Sequence, residues 1–205
     1  MRKLTVAAFV SLDGVMQAPG GPSEDLSGGF RFGGWLVPYA DQAFGQAIDA
    51  LFAEPFELLL GRRTYDIFAG YWPRIGAESS DHMIAEVFNR IPKHVATHHP
   101  ETLAWHNSHG LQGDVCEAVG ALKRQAGDRL LTQGSSELVQ QLLAAGLVDE
   151  LLLMVHPILL GAGKRLFGDD AQPAAFTLAD STATPSGVVI SRYVRSGEVR
   201  TGSFD

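Results

Sequence analysis

The feature that most constrains this chain is the alternation of short apolar runs with segments of helical period. The runs lack helical spacing, as expected for strands that are buried on both faces. They cover residues 4–10, 56–60, 129–132 and 151–156. Between them, segments such as 41–52 and 114–125 place apolar residues on one helical face. Strands that alternate with helices predict an α/β fold with a mostly parallel sheet covered on both faces.

The remaining segments are less regular. Residues 17–34 hold six glycines and two prolines, which predicts a long loop, and long loops in compact domains are usually functional. Residues 98–110 are predicted to be irregular, with one edge strand. Two β-like pieces, 175–178 and 187–194, predict a closing antiparallel pair. With no linker or repeat in the sequence, one domain is expected over residues 1–205.

Charge and cysteine content exclude several classes of protein. The chain has 16 basic and 23 acidic residues, and its scattered Lys and Arg do not form the basic surface of a nucleic-acid-binding protein. A single cysteine, Cys116, allows no intrachain disulfide and favours a reducing cytoplasm. The first apolar run ends before Asp13 and is too short for a signal peptide or a membrane span. We therefore expect a cytoplasmic protein without nucleic-acid or membrane partners.

Two predicted strand-to-helix junctions carry residues that suit phosphate binding. They are Gly-Arg-Arg-Thr at 61–64 and Gly-Ser-Ser at 134–136. Each places backbone N–H groups and a positive helix end at the carboxyl end of a strand. Arginine can bind phosphate in a bidentate way, and serine hydroxyls can bond phosphate or ribose oxygens. Together the junctions predict a dinucleotide site, although each alone is also what a simple turn and helix cap requires.

The order of several motifs identifies a family. The motifs are residues 9–14 (Phe-Val-Ser-Leu-Asp-Gly), 59–65, Gly134-Ser135 with Leu138-Val139, and 146–151 followed by 157–167. With them the chain resembles the dihydrofolate-reductase-like proteins, and most of all the bacterial branch related to the reductase domain of riboflavin biosynthesis. The resemblance runs from Lys3 to about Val194. It implies a three-layer α/β/α domain with a mostly parallel sheet, an antiparallel C-terminal edge and a core over about residues 3–194.

The resemblance also implies a cofactor, NADPH. The residues that match cofactor-binding positions of the family are Gly61, Arg62, Arg63, Thr64, Thr97, Gly134, Ser135 and Ser136. The 61–64 segment would hold the phosphates, with its two arginines as candidates for the 2′-phosphate. Thr97 would lie beside the adenosine, and Gly134 with Ser135 near the pyrophosphate and nicotinamide. Ser136 stands where relatives often have a second glycine, so the cofactor is expected to lie closer or shifted there.

The substrate side is predicted from fewer residues. Asp13 matches the Ser-Leu-Asp-Gly motif and is the candidate proton donor or substrate-orienting carboxylate, although Asp-Gly is also a common turn. Asp25, with Glu24, lies where dihydrofolate reductase places its pterin-binding carboxylate, but the surrounding motif does not align. Trp35 and Tyr39 are candidates for stacking on a flat heterocycle. Trp35 is equally explained as an anchor for the preceding loop.

Other motifs are excluded. Five histidines between residues 94 and 109 lack metal-ligand spacing, so no metal is expected. The 161–165 segment lacks the residues of a phosphate loop, and there is no Gly-x-Gly-x-x-Gly after a strand.

These motifs leave two functional hypotheses. The first is an NADPH-dependent reductase that transfers hydride to a small pyrimidine or pterin, such as 5-amino-6-(5-phosphoribosylamino)uracil or dihydrofolate. The second is a non-catalytic nucleotide-binding or interaction module on the same fold. A homodimer is also expected, because riboflavin-type relatives commonly form homodimers. In addition, the segments 151–155 and 187–194 contain more apolar strand than one sheet edge should leave uncovered.

Overall fold

A computed structural model of the chain describes residues 1–168 and 171–204, which form eight strands and five α-helices. The strands are β1 (Leu4–Ser11), β2 (Phe56–Gly61), β3 (Lys93–Ala96), β4 (Ser108–Gly110), β5 (Arg129–Thr132), β6 (Glu150–His156), β7 (Ala175–Ala183) and β8 (Val189–Gly197). The helices are α1 (Gln42–Ala53), α2 (Arg62–Tyr71), α3 (His82–Arg90), α4 (Val115–Arg124) and α5 (Ser136–Ala144).

All eight strands belong to one sheet, in the order β4-β3-β2-β5-β1-β6-β8-β7. The first six strands in this order are parallel, whereas β8 runs antiparallel to both β6 and β7. The predicted parallel sheet with an antiparallel C-terminal edge is therefore confirmed. Parallel pairing brings the carboxyl ends of β3, β2, β5, β1 and β6 to one edge of the sheet, where α/β proteins bind ligands.

The core has one layer on each face of the sheet. On one face Val6 and Ala8 of β1 pack with Leu138 and Leu142 of α5. On the other face Ala7 packs within a cluster that includes residues of α1, α2 and α3, among them Phe88, which is fully buried. Successive side chains of β1 thus pack into the core layers on opposite faces of the sheet, as expected for a central strand.

The predicted elements are present, with differences mainly at the C-terminus. The predicted pieces 175–178 and 187–194 form a longer hairpin, because β7 extends to Ala183 and β8 to Gly197. The edge strand expected within 98–110 is the short β4. Among the described residues, no helix has the length and apolar character that a membrane span requires.

Candidate functional site

Two strand-to-helix junctions meet at the carboxyl edge of the sheet, because β2 and β5 are neighbours. The Gly61 nitrogen donates a hydrogen bond to the Gly134 carbonyl at 3.1 Å. A Cβ atom on Gly61 would overlap the Ser135 hydroxyl and lie 2.8 Å from the Ser135 nitrogen. Residue 61 must therefore be glycine for the two junctions to approach this closely.

The helices that begin at this edge have uncapped N-termini. Within residues 1–168 and 171–204, the N-cap residues Gly61 of α2 and Ser135 of α5 make no side-chain hydrogen bond to their helices. By contrast, Asp41 and Asp114 accept hydrogen bonds from the first turns of α1 and α4. Asp81 does not cap α3 either, but α3 follows no strand at this edge. Of the described helices that follow a strand at this edge, α2 and α5 therefore have first-turn backbone N–H groups without a side-chain cap.

Arg62 forms a polar cluster with Thr97 and Thr102 near the carboxyl ends of β2 and β3, which we call the Arg62 corner. Its Nε lies 2.9 and 3.1 Å from the two carboxylate oxygens of Asp66. Its Nη1 donates to the hydroxyl oxygens of Thr97 at 3.2 Å and Thr102 at 2.6 Å, and to the His99 carbonyl at 3.3 Å. Among the described residues, Nη2 has no hydrogen-bond partner. The predicted residues Arg62 and Thr97 are thus brought together, with one guanidinium nitrogen left for a ligand.

The second junction is closely packed. A Cβ atom on Gly134, whose φ is +144°, would lie 2.7 Å from the Thr64 hydroxyl and 3.8 Å from the Met16 methyl group. The Gly134–Ser135 peptide bond is cis. Ser135 is half-buried, whereas Ser136 is buried. Ser135 is therefore the more accessible of the two serines.

The Asp13 carboxylate is held by the segment that follows β6. It accepts hydrogen bonds from the Ser11 hydroxyl at 2.6 Å and from the Leu160 and Gly161 nitrogens at 3.1 and 2.8 Å. Arg165 lies 3.6 Å away. The Ser11 hydrogen bond, followed by those of the two backbone N–H groups, lowers the pKa of Asp13 to about 2. In this arrangement Asp13 is an ionised acceptor, which favours its structural role over proton donation.

Asp25 lies between two cations. Its oxygens accept hydrogen bonds from Arg63, at 3.1 Å, and from the Lys164 ammonium group. Burial would raise the pKa of Asp25, but the hydrogen bonds from Lys164 and Ser27 outweigh burial and lower the pKa to about 2. Glu24 instead binds the backbone nitrogens of Gly20 and Gly21. Direct substrate binding by Asp25 stays a prediction, and both of its oxygens are engaged in this structure.

Trp35 and Tyr39 pack around His156 at the end of β6. Their rings lie edge-to-face with the imidazole at centroid distances of 5.1 and 5.9 Å, and Phe44 is 5.6 Å away. Trp35 is buried and donates a hydrogen bond to the Gln17 carbonyl at 2.8 Å. Burial lowers the pKa of His156. Of the two alternatives for Trp35, this geometry supports the anchor of the preceding loop.

Two surface cavities were found, and neither lies over the junctions. One, of about 700 Å³, borders the Arg62 corner through Asp66 and Thr102 and extends to Trp105. The other, of about 680 Å³, lies between α4 and the end of α5 and includes Cys116. Met16, in the segment that follows β1, lies next to Gly134 at the contact between the two junctions.

The fold and these junctions define a dihydrofolate-reductase-like α/β protein. The chain belongs to the RibD C-terminal domain family, whose sequence model matches residues 2–190. This is a family of riboflavin-biosynthesis-reductase-like proteins.

Individual relatives are distant but span the whole domain. The uncharacterized protein YyaP of Bacillus subtilis is 23% identical over 188 residues, which are 92% of each chain. A crystal structure of a putative riboflavin biosynthesis protein from Shewanella sp. PV-4 has a TM-score of 0.63 at 20% identity, over 95% of this chain and 99% of that one. A pyrimidine reductase-like protein from Corynebacterium diphtheriae has a TM-score of 0.61 at 16% identity, over 96% and 93% of the two chains. These structures share the fold.

Sequence reasoning missed four residues of this region. Thr102 completes the Arg62 corner and Lys164 binds Asp25. Gln17, at the start of the loop that follows β1, and His156, at the end of β6, are both buried. The sequence carries no signal for Gln17, because a polar residue in a glycine-rich loop is ordinary until its burial is known. The partners of Thr102 and Lys164 are distant in sequence, so no local pattern marks them.

Proposed function

We propose that this protein is an NADPH-dependent reductase that transfers hydride to a small nitrogen heterocycle of the pyrimidine or pterin type. Family membership supports a reductase. The observation that supports the cofactor is the polar corner of Arg62, Thr97 and Thr102, which lies beside two adjacent helix N-termini without side-chain caps.

The residues present fit the phosphates of a dinucleotide. The N–H groups in the first turns of α2 and α5 would bind the pyrophosphate, since helix N-termini favour anions. The Arg62 guanidinium, held in place by Asp66, would receive the 2′-phosphate through Nη2. The cofactor supplies the hydride when bound, and the contribution of the chain is to align it with the substrate.

A specific observation favours a second candidate, a nucleotide-binding module without turnover. The two carboxylates considered for the substrate side, Asp13 and Asp25, are both ionised and hydrogen-bonded to other parts of the chain. Neither offers a proton at neutral pH. A reductase of this design would take its proton from water.

Calorimetric titration with NADPH and NADH tests the cofactor, followed by NADPH oxidation with a panel of pterins, pyrimidines and quinones. We expect tighter binding of NADPH. Arg62→Ala should lower its affinity by roughly 10- to 100-fold, the effect of one lost charge-assisted hydrogen bond, with a smaller effect on NADH. Arg192→Ala, which breaks an exposed ion pair with Asp180, is the matched control. Equal affinity for the two cofactors would remove the proposed role of Arg62.

We also propose a cytoplasmic homodimer. Strand β7 is a sheet edge of nine residues, most of which are exposed, including Leu178. Such an edge is a site for pairing with another chain. Light scattering at micromolar concentration should give twice the chain mass, whereas a mass near 22.0 kDa would contradict the dimer.

A further inference from the structure

Two loops pair with each other at the carboxyl edge of the sheet, on the side of β6. They are the post-β1 loop, residues 12–16, and the post-β6 loop, residues 157–168. Three backbone hydrogen bonds of 2.8 to 3.0 Å join them, from the nitrogens of Leu12, Met16 and Leu166 to the carbonyls of Ile158, Lys164 and Gly14. Met16 also lies next to Gly134. The paired loops therefore border the junction proposed for the cofactor.

The paired loops carry exposed apolar side chains. Leu12 is 62% exposed, and Leu159 in the facing loop is 71% exposed. Phe32 is 48% exposed, and its ring centroid lies 5.9 Å from that of Phe30. Phe30 is buried against the post-β6 loop, since a Cβ atom on Gly163 would lie 2.9 Å from its ring. Leu12, Leu159 and Phe32 thus lie in or next to the post-β6 loop, and we call these three side chains the apolar patch.

The cations next to the apolar patch are already paired with carboxylates. Asp25 accepts hydrogen bonds from Arg63 and Lys164. The Arg165 guanidinium lies 3.6 Å from the Asp13 carboxylate. Both carboxylates are ionised at neutral pH, so each cancels positive charge on this side of the site. An anionic group of a substrate would have to displace a carboxylate that already holds these cations.

Arg31 is the cation that a phosphate could approach without breaking one of these pairs. It is exposed and stands between Phe30 and Phe32 in the chain. Because it is surrounded by water, its attraction for an anion is weak and screened by salt. The charges of this region therefore favour an uncharged substrate.

The size of the apolar patch indicates what covers it. Each partner of a stable protein–protein interface buries roughly 800 Å², which three side chains do not supply. They can instead cover one substituent of a small molecule. Burial of such a substituent against them removes apolar surface of both from water, which is favourable.

We propose that the substrate of this reductase carries an uncharged, apolar substituent and that Leu12, Leu159 and Phe32 bind it. The heterocycle lies at the Gly134 junction, and its substituent extends along the post-β6 loop. This inference rests on the proposed function and narrows its substrate class. Heterocycles whose substituent ends in a phosphate or a carboxylate, such as the phosphoribosylamino-uracil and dihydrofolate, bind poorly.

NADPH oxidation with three 7,8-dihydropterins tests the substituent. In all three, hydride from NADPH adds to C6 and a proton from water adds to N5. The substituent on C6 is methyl, n-hexyl or the phosphorylated side chain of 7,8-dihydroneopterin 3′-phosphate. We expect the KM of the hexyl compound to be at least roughly tenfold below that of the methyl compound, because its additional methylene groups leave water. The lowest KM for the phosphorylated compound would overturn the proposal, and loss of that preference in Arg31→Ala would assign the phosphate to Arg31.

Leu12→Ser and Leu159→Ser assign the effect to the apolar patch. Each should raise the KM of the hexyl compound by roughly 3- to 10-fold and leave that of the methyl compound unchanged, since only the longer substituent reaches these side chains. Met83→Ser removes an exposed apolar side chain of α3 and is the matched control, which should change neither value. An equal rise for both compounds would show that the leucines support the site itself, and would overturn the proposal.

Nile red, an uncharged dye that fluoresces in apolar surroundings, tests the apolar patch without turnover. The Leu12→Ser/Leu159→Ser double variant should bind the dye at least roughly tenfold more weakly than the wild type and Met83→Ser do. The hexyl compound should displace the dye from the wild type. Unchanged dye binding in the double variant would contradict the apolar patch. Failure to reduce any of the three dihydropterins would instead refute the pterin form of the proposed function, and the dye result would stand by itself.

Discussion

Replacement of Asp13 by Asn distinguishes structural support from proton donation. The Asp13 carboxylate receives the Leu160 and Gly161 N–H groups and the Ser11 hydroxyl, and thereby fixes the start of the post-β6 loop. Asparagine keeps the size and turn conformation of aspartate. It removes the negative charge and places an amide NH₂ where one acceptor oxygen had been, so these contacts weaken while the backbone is retained.

The expected loss of stability in Asp13→Asn follows from the pKa of Asp13. Its fall from 3.8 to about 2 on folding corresponds to about 2 kcal/mol of stabilisation of the folded state at neutral pH. We therefore expect Asp13→Asn to lower the free energy of unfolding by about 1–2 kcal/mol, or the melting temperature by about 2–8 °C for a domain of this size. Because the folded pKa is below the unfolded one, this contribution is complete above about pH 4 and is lost as the pH falls towards 2.

Denaturant unfolding from pH 3 to pH 8, together with the rate of reduction per folded molecule, provides the assay. The difference in stability between wild type and Asp13→Asn should be constant from pH 5 to pH 8 and shrink below pH 4, and the rate should change little. A rate lower by roughly 10²- to 10⁴-fold with unchanged stability would refute this reasoning, because that is the signature of a lost general acid.

Two further predictions concern packing and burial. Gly61→Ala should destabilise the fold by about 1–3 kcal/mol and abolish cofactor binding, because its Cβ would overlap Ser135. Gly45→Ala in α1, where a Cβ meets nothing within 4 Å, is the control and should be neutral or stabilising in thermal unfolding. Burial lowers the pKa of Lys93 to about 8, so the unfolded chain binds more protons above that pH and wild-type stability should rise between pH 8 and about 10. Lys93→Met should lack this rise in denaturant titrations, and an identical rise in both proteins would show that other groups cause it.

The parts of the fold that bury apolar residues on a regular period could be predicted from the sequence. Strand β1 is buried along nearly its whole length, and α1 places Phe44 and Leu51 on its inner face. The full length of β7 could not be predicted, because its residues from Thr177 to Ala183 are exposed and an exposed edge strand produces no apolar pattern.

The candidate site was predictable where it follows from topology. Arg62 and Thr97 come together because each stands just after the carboxyl end of one of two neighbouring parallel strands. The environments of Asp13 and Asp25 were not predictable, since their partners Gly161 and Lys164 are more than a hundred residues away in a loop without a regular pattern. The same long-range contacts engage the carboxylate oxygens of both residues.

The location of the proposed cofactor site is tested most directly by amide chemical shifts during an NADPH titration. The proposed site predicts the largest changes at the backbone N–H groups of residues 62–64 and 136–138, in the uncapped first turns of α2 and α5. The first turn of α4, capped by Asp114, should remain unperturbed and serves as the internal reference. Saturable changes confined to other helices, or none at millimolar NADPH, would contradict a dinucleotide site at the junctions of β2 and β5.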